Sequence, residues 1–209
     1  CLRGNVTPLQ YADLWLWNHE PAVHTLVVGA ARPTDFEDHY HAAMLYEQRQ
    51  EIVQAIEPLL QARETEVLGE EWVGTWWNGL FGSHNPTKIN VANIVWLWNL
   101  LKAHGMYDFC RARYQALENN HKNWDTWVPG FDYDPAKASE LEALLSNCPN
   151  KDKVLTCLAE AHDWLHSSKK DDPAAVAERK ERGWVAAYNL QPDVPFPERK
   201  KPKVSSKEA

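Results

Sequence analysis

The sequence has no long apolar segment and no excess of basic residues. No uninterrupted run approaches the roughly 18 apolar residues that a transmembrane helix needs, so no transmembrane segment is predicted. Lys and Arg number 22 against 29 Asp and Glu, which gives a formal net charge of −7 at pH 7. Nucleic-acid-binding domains neutralise phosphates with clustered basic side chains, so this acidic balance gives no indication of a nucleic-acid partner.

Cysteines are few, and their spacing fits no metal motif. The four thiols are Cys1, Cys110, Cys148 and Cys157. Zinc motifs place paired cysteines about two to four residues apart, and none of these four lies that close to another. We therefore predict that the thiols are buried in the core.

The histidines give no metal signal in this reading of the sequence. His39 and His41 lie near Glu37, but residues two apart on a helix point in different directions and cannot readily share an ion. We interpret both as surface or packing residues, and no metal site is predicted. Loop or helix-end roles are expected for three histidines that lie next to Gly, Asn or a helix end: His84, His104 and His121.

Tryptophan is abundant, with 11 residues, and 44% of the chain is hydrophobic. This composition is sufficient to fill a core. Tryptophan is also enriched at protein interfaces, because its large ring buries much area while its N–H needs a partner. Core filling is the simpler interpretation, and an interface role stays open.

One strand–turn–helix pattern stands near the start of the chain and does not recur. A continuously apolar strand is predicted over Thr25–Val28, as in parallel strands that are covered on both faces. Gly29 supplies the turn, and Arg-Pro-Thr-Asp at 32–35 caps a helix that runs to about Tyr46. Elsewhere apolar residues recur at three and four, which predicts helices over 8–20, 47–63, 90–103, 107–119, 135–146, 151–166 and 173–188. The predicted fold class is mainly α with one terminal βα unit.

Several segments resemble parts of the aldo/keto reductases. VHTLVVGAARPTDFEDHYHA (23–42) resembles the final strand and following helix of these (β/α)8 barrels, and TPLQYADLWLWNHEPAV (7–23) looks like the preceding helix. INVANIVWLWNLLKAHGMYDFCRARYQAL (89–117) and NCPNKDKVLTCLAEAHDWL (147–165) are similar to the ferredoxin-like extension of one iron–sulfur subgroup. The resemblance implies the terminal βα unit of an incomplete barrel followed by this helical extension.

The resemblance also implies that the iron–sulfur clusters have been lost. In the subgroup, each cluster is held by cysteines in a Cys-x2-Cys-x2-Cys-x3-Cys-Pro run. Among the matching positions only Cys148 is a cysteine, so no cluster is expected in this chain. The other matching positions are Thr75, Asn78, Phe81, Asn85, Ala138, Leu141 and Leu144.

The same resemblance leads to expectations about catalysis and cofactor binding. The Asp, Tyr, Lys and His of the family come from barrel strands that would precede Cys1, so no catalytic residue is expected here. The phosphate loop of the family matches Gly29, Ala30, Ala31 and Arg32, at a helix N-terminus that favours anions. We interpret these four as a vestigial NADP phosphate loop. No cofactor is expected on this chain alone. NADPH binding is expected only if a complete barrel exists elsewhere.

The chain divides into four predicted regions. Residues 1–63 match the end of an aldo/keto reductase barrel, and residues 64–168 match a helical extension that resembles a degenerate ferredoxin-like module. A terminal helix is predicted over 169–190, followed by a Pro- and Lys-rich tail over 191–209.

These features lead to two functional hypotheses. We expect a non-catalytic accessory or structural subunit of a larger protein assembly, derived from an aldo/keto reductase, because a solitary strand needs another chain along its edges. The alternative is the C-terminal part of a longer or split NADPH-dependent aldo/keto reductase. The chain begins at Cys1 rather than Met, and three explanations stay open: a removed targeting peptide, a longer precursor and, least favoured, a lipoprotein signal. The first would fit a eukaryotic organelle, a mitochondrion or plastid.

Overall fold

The structure, a computed structural model, describes residues 6–30, 35–122 and 128–168, and these residues are mainly helical. Two 3₁₀ turns, Tyr46–Gln48 and Pro135–Lys137, precede the third and seventh helices. The helices of the described part are α1 Pro8–Trp17, α2 Asp35–Met44, α3 Arg49–Leu68, α4 Glu70–Thr75, α5 Val91–His104, α6 Tyr107–Asn119, α7 Ala138–Leu144 and α8 Lys151–Leu165. The predicted mainly α class is therefore confirmed. Among the described helices, none has the length and apolar character required to cross a bilayer.

Local capping explains where several helices begin and end. The Thr7 hydroxyl accepts a hydrogen bond from the Gln10 N–H, and the Gln10 side chain accepts one from the Thr7 N–H, so a capping box starts α1. The Asn90 side chain caps α5 by accepting from the Asn93 N–H at 3.1 Å. Gly105 ends α5 in the left-handed conformation, with φ 63°, which glycine adopts without strain.

The larger hydrophobic core surrounds α5, which packs against α3, α6 and α8. Val91, Ile94 and Leu97 have no accessible surface, so α5 is the buried central helix of this core. Trp72 is buried beside α5, where its Nε1 donates to Asn99 Oδ1 at 2.7 Å. This partner removes the cost of burying an indole N–H and lets tryptophan serve as a core residue.

A smaller core joins α1 to the first half of α3 through Leu14, Val53 and Ile56. The helix α3 also reaches the larger core at its C-terminal end, where Leu68 is buried. The helix α3 continues through Pro58, although proline in a helix interior usually kinks or ends the helix. Position 63, the predicted boundary between barrel remnant and extension, lies inside this helix.

The predicted strand over Thr25–Val28 is wrong. Residues 23–30 have no regular secondary structure, and the Val27 side chain is fully exposed. A parallel strand is stable only when neighbouring strands satisfy its backbone groups, and the described residues contain no strand. Ile89 and Phe131 form an isolated parallel bridge, the one β-type pairing in the described part. The helical half of the predicted unit does form, as α2, whereas the βα unit itself does not.

Several predictions lie outside the described residues. They are the cap residues 32–34, the terminal helix over 169–190, the tail over 191–209 and Cys1. The likeness of residues 64–168 to a ferredoxin-like module stays a prediction.

The thiols of Cys110 and Cys157 are buried, as predicted, and burial raises the pKa of both from 9.0 to about 12. Because the thiolate is the reactive form, we expect iodoacetamide at about pH 8 to spare both in the folded chain and modify both in urea. Peptide mass spectrometry measures the modification, and rapid alkylation of the folded chain would contradict the prediction.

The same two thiols make the stability of the fold depend on pH. As the pH rises, the thiols of the unfolded chain ionise before those of the folded chain, so the stability that the protonated thiols contribute is present below about pH 9 and falls at higher pH.

Candidate functional site

The predicted phosphate loop is only partly described. Gly29 is exposed, and a Cβ built on it would meet no atom within 4 Å. No close approach in the described structure therefore requires glycine at this position. Ala30 is half-buried, and Ala31 and Arg32 lie outside the described residues. The phosphate-binding role of this loop stays a prediction.

One position of each matched cluster run contacts the other, through Asn78 and Cys148. The Cys148 thiol donates to the Asn78 carbonyl at 3.3 Å, and the Asn150 side-chain amide donates to the Thr75 carbonyl at 3.2 Å. Gly79, with φ 77°, lies so close to Cys148 that a Cβ would approach its Cα at 3.1 Å. These neutral residues join the turn after α4 to the turn before α8.

A second group of polar residues, which the sequence analysis missed, meets at the C-terminal end of α8. Asp132, His162 and His166 each present one donor atom, and these atoms lie within 4.8 Å of one another. His162 belongs to the last turn of α8, and His166 is its C-cap residue. Asp132 lies on the segment 128–134, which runs past this helix end. We call these three residues the Asp–His cluster.

The segment 128–134 is fixed by backbone and asparagine hydrogen bonds. The Asn90 N–H donates to the Phe131 carbonyl at 3.0 Å, and the Phe131 N–H donates to the Lys88 carbonyl at 2.8 Å. The buried Asn120 side-chain amide donates to the carbonyls of Val128 and Gly130, both at 2.7 Å. This anchoring determines where the Asp132 carboxylate stands.

A buried tyrosine orients the first histidine of the cluster. Tyr114 Oη lies 3.2 Å from His162 Nδ1 and accepts a hydrogen bond from the Tyr133 N–H at 3.1 Å. Burial, together with the nearby Asp132 charge, raises the pKa of Tyr114 far above its ordinary value of 10.0. The Tyr114 phenol therefore stays protonated throughout the physiological range, and as an uncharged group it hydrogen-bonds to the His162 ring.

Two carboxylates lie near His166, the second histidine of the cluster, and a third histidine, His121, pairs with one of them. His166 Nε2 lies 3.8 Å from Asp132 Oδ2 and 3.7 Å from Glu118 Oε2. Asp132 Oδ1 is engaged by His121 Nε2 at 2.8 Å, and the His121 ring stacks on Phe131. The carboxylates of Asp132 and Glu118 add negative charge to this region, which favours a cation.

The helix α2 carries a different feature, an apolar stripe that faces outward. Phe36, Tyr40 and Met44 follow one another at intervals of four, and their exposed fractions are 55%, 63% and 65%. Residues four apart on a helix lie on the same side, so the three form one surface. We call this surface the α2 stripe.

The inward side of α2 is polar and contacts α1. His39 Nδ1 lies 2.7 Å from Asp13 Oδ2, and the Gln10 side-chain amide donates to Asp38 Oδ1 at 3.1 Å. Ala42, on the same side, is buried. The usual polarity of a surface helix is thus reversed, with polar contacts inside and large apolar side chains outside.

Comparison with protein-family models, with curated proteins and with solved structures found no match to this chain. Functional inference therefore depends on the Asp–His cluster and the α2 stripe.

Proposed function

We propose that this chain is a non-catalytic helical subunit of a larger protein assembly and that the α2 stripe contacts the neighbouring subunit. The observation that carries the proposal is the outward display of Phe36, Tyr40 and Met44 on one side of one helix. Large aligned apolar side chains are typical of protein interfaces, whereas scattered ones are common on any surface. Descent from an aldo/keto reductase is the part of the proposal that depends on the sequence motifs alone.

The stripe is presented by a helix whose other side is already engaged. Asp38 accepts a hydrogen bond from Gln10 of α1, and His39 pairs with Asp13 of α1. Turning the stripe inward would break these contacts. Burying each stripe side chain in an interface contributes on the order of 1–2 kcal/mol. Together they supply enough apolar contact to anchor a helix or sheet face of another protein.

The test replaces the stripe in the full chain. We expect Phe36→Glu, Tyr40→Glu and Met44→Glu, combined, to weaken association by roughly 100-fold or more, because each buried carboxylate also carries a desolvation cost. The tagged chain is produced at its natural level in cells of its own species and analysed by native mass spectrometry. The unaltered chain is expected in a complex of fixed stoichiometry, and the variant alone, near its own mass of 24.0 kDa plus the tag.

Leu59→Glu is the matched control. Leu59 is 52% exposed on α3, and the residues four positions before and after it are Ala55 and Arg63, so it belongs to no comparable stripe. This variant is expected to remain in the complex. Retention of the triple variant, with unchanged circular dichroism, contradicts the proposal. A partner that supplies a complete barrel and oxidises NADPH would instead support the alternative of a split reductase.

A further inference from the structure

The Asp–His cluster has the composition of a transition-metal site. We propose that Asp132, His162 and His166 together bind one divalent first-row ion, with Zn²⁺ the best match. Two imidazole nitrogens and one carboxylate oxygen form a standard three-residue zinc ligand set, which leaves one position for water. Ca²⁺ and Mg²⁺ favour sites made of oxygen alone, so the two histidines argue against them.

The spacing of the histidines suits a shared ion. His162 and His166 are four residues apart at the end of α8, the separation that places two histidines on one side of a helix in zinc enzymes. Their rings lie 4.4 Å apart between centroids. His166 follows the last helical residue and has extended backbone angles, φ −63° and ψ 140°. Its ring can therefore adjust toward an ion without unwinding the helix.

Only a small contraction would complete the site. Zinc binds nitrogen and oxygen at about 2.0–2.2 Å, which places donors of a tetrahedral site roughly 3.4 Å apart. The donor atoms of the cluster already lie within 4.8 Å of one another, and Asp132 Oδ2 lies 3.8 Å from His166 Nε2. Side-chain torsions alone can supply the difference.

Both histidine rings have a hydroxyl partner on Nδ1, in the place where metal-bound histidines usually have a carboxylate, a carbonyl or water. Tyr114 Oη lies 3.2 Å from His162 Nδ1, and Ser168 Oγ lies 2.7 Å from His166 Nδ1. The Ser168 N–H also donates to His166 Nδ1, at 3.1 Å. An ion at Nε2 of His166 would require the ring proton to move to Nδ1, which exchanges this bond for one donated to Ser168 Oγ. Such outer partners fix the tautomer and orient the ring toward the ion.

The surrounding charges favour a cation and leave a coordinating oxygen available. His121 engages Asp132 Oδ1, whereas Oδ2 faces His166. Glu118 adds a second carboxylate beside His166. A bound ion would offset the repulsion between the two carboxylates and would join the C-terminal end of α8 to the segment 128–134.

The test measures metal binding to the full chain after treatment with a chelator. Titration calorimetry with zinc chloride at about pH 7.5 is expected to show one ion per chain. The Co²⁺-loaded chain is expected to show visible d–d bands without the near-ultraviolet bands of a cobalt thiolate. Asp132→Asn and His166→Gln are each expected to weaken binding by at least about 100-fold, since even loss of an outer partner costs 10–100-fold.

His104→Gln is the matched control. His104 Nε2 pairs with Glu64 Oε1 at 2.9 Å, so this variant removes a histidine from a histidine–carboxylate pair of another region. It is expected to keep the affinity and stoichiometry of the unaltered chain. If Asp132→Asn fails to fold, His166→Gln alone tests the site. The His166 ring is partly exposed at the end of its helix, so its replacement is expected to disturb the fold less.

Four outcomes would overturn the proposal. The first three are an affinity for zinc that His166→Gln leaves unchanged, an equal loss in His104→Gln, and cobalt spectra with thiolate bands, which would assign the ion to cysteine. Failure to bind zinc at all would also overturn it, and it would leave the proposed subunit role untouched, because that role depends on the α2 stripe.

Discussion

Replacing Gly130 by alanine is expected to destabilise the fold by about 2–5 kcal/mol, from backbone strain and steric overlap together. Gly130 has φ 101°, a conformation that residues with a Cβ rarely adopt. A Cβ there would stand 2.7 Å from the Ser83 Cβ, 2.9 Å from the Asn90 Cβ and 3.0 Å from the Lys88 carbonyl oxygen. Relief would require the segment 128–134 to move away from its anchor. Urea unfolding followed by circular dichroism measures the effect.

Gly74→Ala is the control for the same chemical change. Gly74 lies in α4, and a Cβ on it would meet no atom within 4 Å. Alanine is the better helix former, so this variant is expected to gain about 0.5–1 kcal/mol. The two substitutions should therefore have opposite signs. A neutral Gly130→Ala variant would show that the segment 128–134 is not held as the structure describes.

Replacing Asn120 by alanine is expected to cost about 2–4 kcal/mol, because it leaves two carbonyl groups without their donor. The Asn120 side chain is buried and bonds to the carbonyls of Val128 and Gly130. Its loss should also speed hydrogen exchange of the Phe131 amide, which bonds to Lys88 in the same segment. Urea unfolding and amide exchange by nuclear magnetic resonance measure the two effects.

The neighbouring Asn119 provides the matched control. It is the last residue of α6 and is exposed. Asn119→Ala is expected to change the free energy of unfolding by less than about 0.5 kcal/mol, as for most surface substitutions. Equal losses at positions 119 and 120 would indicate a general effect on the end of α6 rather than loss of the bonds to the segment 128–134.

The helical architecture could be predicted because its determinants are local. Thr7 and Gln10 cap α1 within one turn, and Gly105 ends α5 by its own conformational freedom. The strand over Thr25–Val28 could not be judged locally. Its apolar run indicates burial in a sheet, but a sheet requires other strands, and the described residues supply none.

Two of the three residues of the Asp–His cluster could have been recognised from the sequence. His162 and His166 stand four residues apart in a predicted helix, which is a spacing that a search for metal ligands could have used. Asp132 could not be assigned to them from its position in the chain. It reaches α8 because Asn90 and Asn120 anchor its segment, and these are tertiary contacts between distant residues.

The exposure of the α2 stripe could not be predicted from the sequence either. The spacing of Phe36, Tyr40 and Met44 is plain in the sequence, and it would ordinarily indicate the buried side of a helix. The side that faces α1 is instead chosen by hydrogen bonds between Asp38, His39 and polar residues of α1. Which face of an amphipathic helix is covered depends on its neighbours, and the neighbours are not local information.

Photo-cross-linking at the α2 stripe tests the central claim most directly. A photoreactive phenylalanine derivative takes the place of Tyr40 in the full chain, and in a parallel experiment the place of Leu59, in cells of the native species. The account predicts one discrete adduct with a single protein from position 40 and none from position 59. Absence of an adduct at position 40, or the same adducts from both positions, would contradict the claim that α2 contacts a neighbouring subunit.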